Sequence, residues 1–124
     1  MALMDLMWLV TSASLETFIK ELPYIAQSRS WLASFAMKNM RYDILDYLCE
    51  HHLTYEDMRK ANLFNQAVES NMTTAMKVLH KHGMSIDDLS IAMHHNVVCV
   101  YDRNHRYGTL SLLREWGLKD DRLD

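Results

Sequence analysis

Apolar residues return along this chain with a helical rhythm. In "YDILDYLCEH" the set Ile44, Leu45 and Leu48 has the one-, three- and four-residue spacing that shares one face of a helix. Met76 and Leu79 repeat it in "TTAMKVLHKH", and Leu110 and Leu113 repeat it in "YGTLSLLREW". Helices are therefore expected over residues 42–51, 73–82 and 107–116. The opening "MALMDLMWLV" is apolar enough for a signal peptide, but it lacks a basic leader and Asp5 interrupts it, so it reads as a buried first helix.

The rhythm belongs to a larger repeat. When Ala36 is laid on Ala67, Leu48 falls on Leu79, His51 on His82, Thr54 on Ser85 and Asp57 on Asp88. A second displacement puts Gly83 on Gly117, Met84 on Leu118, Met76 on Leu110 and Leu79 on Leu113. A fainter copy sets Leu9, Phe18, Ile19 and Leu22 under Phe35, Ile44, Leu45 and Leu48. The chain thus reads as one repeat domain: a degenerate N-terminal cap over residues 1–29, repeats over 30–61 and 62–95, and a C-terminal repeat with its tail over 96–124.

Each copy is expected to hold two helices. The first opens after Ser30, Asn62 or Asn96, whose side-chain oxygen suits an N-cap. The second ends where Gly83 and Gly117 turn left-handed and an apolar residue folds back, with His52 taking the glycine's place in the earlier copy. Met40, Asn71 and His105 fall at the tight turn between the helices. Thr54 with Asp57, and Ser85 with Asp88, have capping-box spacing and open a short helical turn. The stretch "SIAMHHNV" carries an insertion and reads as an irregular connection.

This arrangement resembles a divergent ankyrin repeat protein. The pairs "FAMKNMRYDILDYLCEHH" and "YDRNHRYGTLSLLREWG" fit the family's alternation of a first helix, a tight turn, a Leu-rich second helix and a glycine exit. "LREWGL" and "GMSIDDL" are similar to the degenerate arrays of large DNA viruses and some intracellular bacteria. The family's Thr-Pro-Leu-His signature is absent, no proline follows Pro23, and residues 54–60 and 85–94 read as helical where the family has a β-hairpin finger. The resemblance implies an all-α fold, a short α-solenoid of about four ankyrin-like helix-turn-helix repeats, that presents a concave face to a protein partner.

Composition narrows the function further. Three Gly, one Pro and ten Met in 124 residues favour helix over sheet. The formal charge of -3 and the lack of a basic run argue against nucleic acid. No uncharged apolar stretch is long enough to cross a membrane. Cys49 and Cys99 lie far apart without a Cys-x-x-Cys partner, which fits a reducing, cytoplasmic compartment, or a host cytosol for a viral or bacterial factor.

Candidate chemistry is sparse. His51, His52, His80, His82, His94 and His95 invite a metal, but neighbouring side chains on a helix diverge by about 100° and no His-x3-His spacing supports them. Trp116 replaces the repeated histidine in the last copy, which suits a helix end better than a ligand. A Cys49 and His51 or His52 dyad is disfavoured because Cys49 falls in the last turn of a helix, where the dipole raises a thiol pKa. No catalytic residue, metal or cofactor is therefore expected, and an enzyme, such as a histidine-based metal-dependent hydrolase, ranks below a binding module. The expected partner face comprises Tyr55, Arg59, Asn65, Glu69, Arg103 and Asn104 on the first helices and connecting turns. The alternative is a self-pairing structural protein, a homodimer through the N-terminal Met1, Leu3, Met4, Met7 and Trp8.

Overall fold

A computed structural model describes residues 3–99 and 107–118. Among these residues every regular element is helical. The chain divides into two compact units, the first ending at Ala61 and the second beginning at Asn62. The first unit holds α1 (Leu3–Thr11), α2 (Leu15–Glu21), a 3-10 turn (Leu22–Tyr24), α3 (Arg29–Lys38), α4 (Tyr42–His51) and α5 (Tyr55–Lys60). The second holds α6 (Leu63–Glu69), α7 (Thr73–Lys81), a 3-10 turn (Ile86–Asp88), α8 (Ile91–Cys99) and α9 (Tyr107–Glu115).

Two hairpins, α3 with α4 and α6 with α7, are built alike. Ala36 and Ala67 are fully buried at matching places in the first helices, as are Leu45 and Leu48, or Met76 and Leu79, in the second. Each buried leucine contributes about 1.5–3 kcal/mol of transfer free energy, so the shared apolar positions are the main reason each pair closes. Nearer the N-terminus Leu9, Phe18 and Leu22 are buried, while Ile19 is only half-buried.

Helix ends explain the repeat more fully than helix faces do. Gly83 and Gly117 take φ of 102° and 107°. The Met84 N–H donates to the Leu79 carbonyl at 3.1 Å and the Leu118 N–H to the Leu113 carbonyl at 2.8 Å, while each glycine N–H bonds one residue further along its helix. This is the Schellman pattern, which satisfies carbonyls that a helix end would otherwise orphan. The first helices close in the same way without glycine. Met40 and Asn71 sit at φ of 60° and 56°, and the N–H groups of Arg41 and Met72 donate to the Ala36 and Ala67 carbonyls at 2.9 Å.

Several expected caps are displaced. Ser28, in extended backbone, caps α3 by accepting from the Trp31 N–H at 3.1 Å, and Ser30 lies inside the first turn. Asn62 precedes α6 but adopts the left-handed region and makes no side-chain cap, because its backbone does not turn the amide oxygen back over the helix end. Asn96 lies within α8, so the expected irregular stretch is mostly regular helix; Ser90 opens it, accepting from the Met93 N–H at 3.1 Å. Residues 85–94 are not one helix, since Leu89 is extended at ψ 137° between the 3-10 turn and α8. His52 takes φ of -127° and not the left-handed region, yet the Leu53 N–H still reaches the Leu48 carbonyl at 2.9 Å. Both capping boxes are formed as the spacing predicts.

Candidate interaction surfaces

Four of the six expected partner-binding residues fall within the described residues; Arg103 and Asn104 lie outside them. Tyr55 and Arg59 are exposed one turn apart on α5, where the Thr54 capping box starts the helix and the buried Met58 anchors it. Arg59 grips Glu56 with both arms of its guanidinium, Nε to Oε2 at 2.9 Å and Nη2 to Oε1. That hydrogen bond is the chief reason the Glu56 carboxyl is held below its ordinary range.

Asn65 and Glu69 lie one turn apart on α6. The Asn65 amide is committed within its own unit: Nδ2 donates to the Asp88 carbonyl at 3.1 Å, and Oδ1 accepts from the Ser90 N–H at 2.9 Å. The side chain joins the end of a 3-10 turn to the start of α8. Nothing in the local sequence marks this, because the two contacts lie more than twenty residues away.

The reactive side chains are largely occupied by packing. Cys49 is buried and its thiol is pushed up to about 12, first by burial and then by the nearby Asp46 carboxylate, so it stays protonated at neutral pH. Burial acts in the same direction as the helix-end effect expected from sequence. His52 is shifted down by desolvation and by the Arg29 and His51 charges. His80 is held by its neighbours: Nδ1 lies 2.8 Å from the Met84 carbonyl and so carries the proton, and the ring stacks on Trp116 at a 4.0 Å centroid separation. Among the described residues no group of three or more His, Cys, Asp and Glu side chains could hold a metal ion.

A feature that periodicity alone does not reveal lies in the first unit. Asp5, Trp8 and Leu9 of α1, with Thr17, Glu21 and Tyr24 from α2 and its 3-10 turn, line an open cleft of about 490 Å³. Leu9 is buried, while Trp8 is 56% and Tyr24 73% exposed. Met4 on the same helix is 82% exposed, so α1, expected as a buried helix, buries Leu6, Leu9 and Val10 and exposes Met4, Met7 and Trp8. The turn that carries Tyr24 is held through its backbone. Arg29 donates to the Leu22 carbonyl at 3.1 Å and to the Ile25 and Gln27 carbonyls at 3.2 Å, and Pro23 stiffens the turn between them.

No described helix is long and apolar enough to cross a membrane. No family model, curated protein or solved structure matches the chain.

Proposed function

We propose that this chain is a short ankyrin-like array that binds a partner protein and performs no catalysis of its own. The observation that carries this reading is the recurrence of one helix-pair unit, with the same buried alanine and leucine, the same left-handed turn and the same exit to a capping box. Repeated helix pairs of this kind build extended surfaces, and binding through rigid elements keeps the ordering cost of association low. Partner contacts are assigned to Tyr55 and Arg59 of the first unit and to Glu69 of the second, together with Arg103 and Asn104, in a cytosolic setting; the Asn65 amide is committed to the Asp88 and Ser90 backbone instead.

The test is affinity capture from a candidate host lysate with the intact chain and with Tyr55→Ala/Arg59→Ala. Loss of a specific partner with unchanged folding supports the assignment. Retention of every partner by the double variant removes it. A second reading, self-association, is favoured by the exposure of Met4, Met7 and Trp8 on α1. Light scattering that finds only monomer at high protein concentration eliminates it.

A further inference from the structure

The cleft of the first unit has a chemistry that selects its occupant. Its lining combines the buried Leu9, the exposed Trp8 and Tyr24, and two acidic residues, Asp5 and Glu21. Among the described residues no lysine, arginine or histidine lines it and none forms an ion pair with either carboxylate. An electron-rich ring face attracts a cation, and a carboxylate attracts the same cation with hydrogen-bond geometry. A planar guanidinium satisfies both at once, since it stacks on an aromatic face while its N–H groups point outward in a fork; an ammonium presents only a point charge. The volume of about 490 Å³ lies within the usual range for binding clefts, and the Arg29 clamp on the Leu22, Ile25 and Gln27 carbonyls holds the backbone of the turn that carries Tyr24.

We infer that this cleft receives an arginine side chain from a basic segment of a partner protein. The inference rests on the reading of the chain as a binding module and gives the partner a chemical character. In this arrangement the aliphatic part of the arginine lies over Leu9, the guanidinium stacks against Trp8 or Tyr24, and Asp5 and Glu21 accept its hydrogen bonds. The Thr17 hydroxyl already accepts from the Ser14 hydroxyl at 3.0 Å, which leaves its own O–H for the peptide backbone.

The experiment titrates the full chain with a short arginine-containing peptide and with the same peptide carrying glutamine in place of arginine, and follows the Trp8 indole N–H by NMR. Trp8→Phe identifies that signal. The arginine peptide is expected to shift it saturably, with binding weakened at least about ten-fold by the glutamine peptide, by Asp5→Asn/Glu21→Gln, and partially by raised salt. Both carboxylates are at the surface, and a thermal unfolding curve shows that the double variant is folded. Tyr55→Ala/Arg59→Ala is expected to bind the peptide normally, so failure of this inference is separable from failure of the proposed partner face. Equal binding of the two peptides, undiminished binding by Asp5→Asn/Glu21→Gln, or no response of Trp8 overturns the inference. A Trp8 shift that depends on protein concentration without peptide overturns it too, and assigns the cleft to a second copy of the chain.

Discussion

Replacing Asn65 with alanine separates a structural from a recognition role for that residue. The substitution deletes a donor to the Asp88 carbonyl and an acceptor for the Ser90 N–H, at 3.1 and 2.9 Å. A hydrogen bond contributes about 0.5–1.5 kcal/mol net, giving about 1–3 kcal/mol for the pair. The Ser90 contact is exposed, so water replaces part of it and the expected cost is about 1.5 kcal/mol. In a chain of this size that lowers Tm by roughly 5 °C. The effect has a local signature as well. Hydrogen exchange at the Ser90 amide should accelerate, because Asn65 holds the residue that opens α8. Asn65→Asp keeps the acceptor and should keep Ser90 protected while losing the bond to Asp88. An Asn65→Ala variant with unchanged Tm and unchanged Ser90 exchange, but with weakened partner binding, refutes the clamp and returns Asn65 to the recognition face.

The glycines make opposite predictions. Gly83→Ala meets no atom within 4 Å, so its cost of about 1–2 kcal/mol comes from backbone conformation at φ 102°, whereas Gly108→Ala sits in α9 at an ordinary 3.5 Å from Thr73 Cγ2 and should stabilise by about 0.5 kcal/mol; urea unfolding of the two variants measures both signs. Asp57 is held below its ordinary value of 3.8, first by the Thr54 backbone N–H and then by its hydroxyl. A depressed carboxylate contributes stability above its unfolded pKa and loses it as pH falls through the folded one, so Asp57→Asn should flatten the acid limb of a stability-pH curve below that value. For Cys49 the shift is upward and the neutral thiol is the folded form, so alkylation of Cys49 in a Cys99→Ser background should follow global unfolding; rapid labelling of the folded protein at pH 8 contradicts its burial.

What the sequence makes legible here are features whose physics is local. Helices over residues 42–51, 73–82 and 107–116 agree with α4, α7 and α9 to within one residue, because apolar spacing and, after α7 and α9, a terminal glycine act over a single turn. The two capping boxes are equally readable, since donor and acceptor lie three residues apart. Cap choice among neighbours is less so. Ser28 and Ser30 have the same side chain, and only the extended backbone at Ser28, held from the other side by the Arg29 clamp, decides which of them caps α3.

Long-range features leave no local trace. The repeat alignment pairs Met40 with Asn71, and both are left-handed, yet methionine gives no sign of it; the conformation follows from the demand that the Arg41 N–H reach the Ala36 carbonyl while the chain reverses. Arg41 shows the same principle. It grips Asp43 beside it, with Nε to Oδ1 and Nη2 to Oδ2 at 3.1 Å, and its remaining arm donates to the Val10 carbonyl at 2.9 Å, tying the end of α1 to the start of α4. The Asp43 carboxyl is held below its ordinary range chiefly by that pairing. The candidate cleft arises in the same manner. Asp5 and Trp8 come from one helix, and Thr17, Glu21 and Tyr24 from the next helix and its turn, so the residues form a site only when α1 folds against α2. In the linear sequence Asp5 appears as a flaw in an apolar run. In the cleft that it lines together with Glu21 and Tyr24, the same carboxylate is the feature on which the proposed preference for a cation rests.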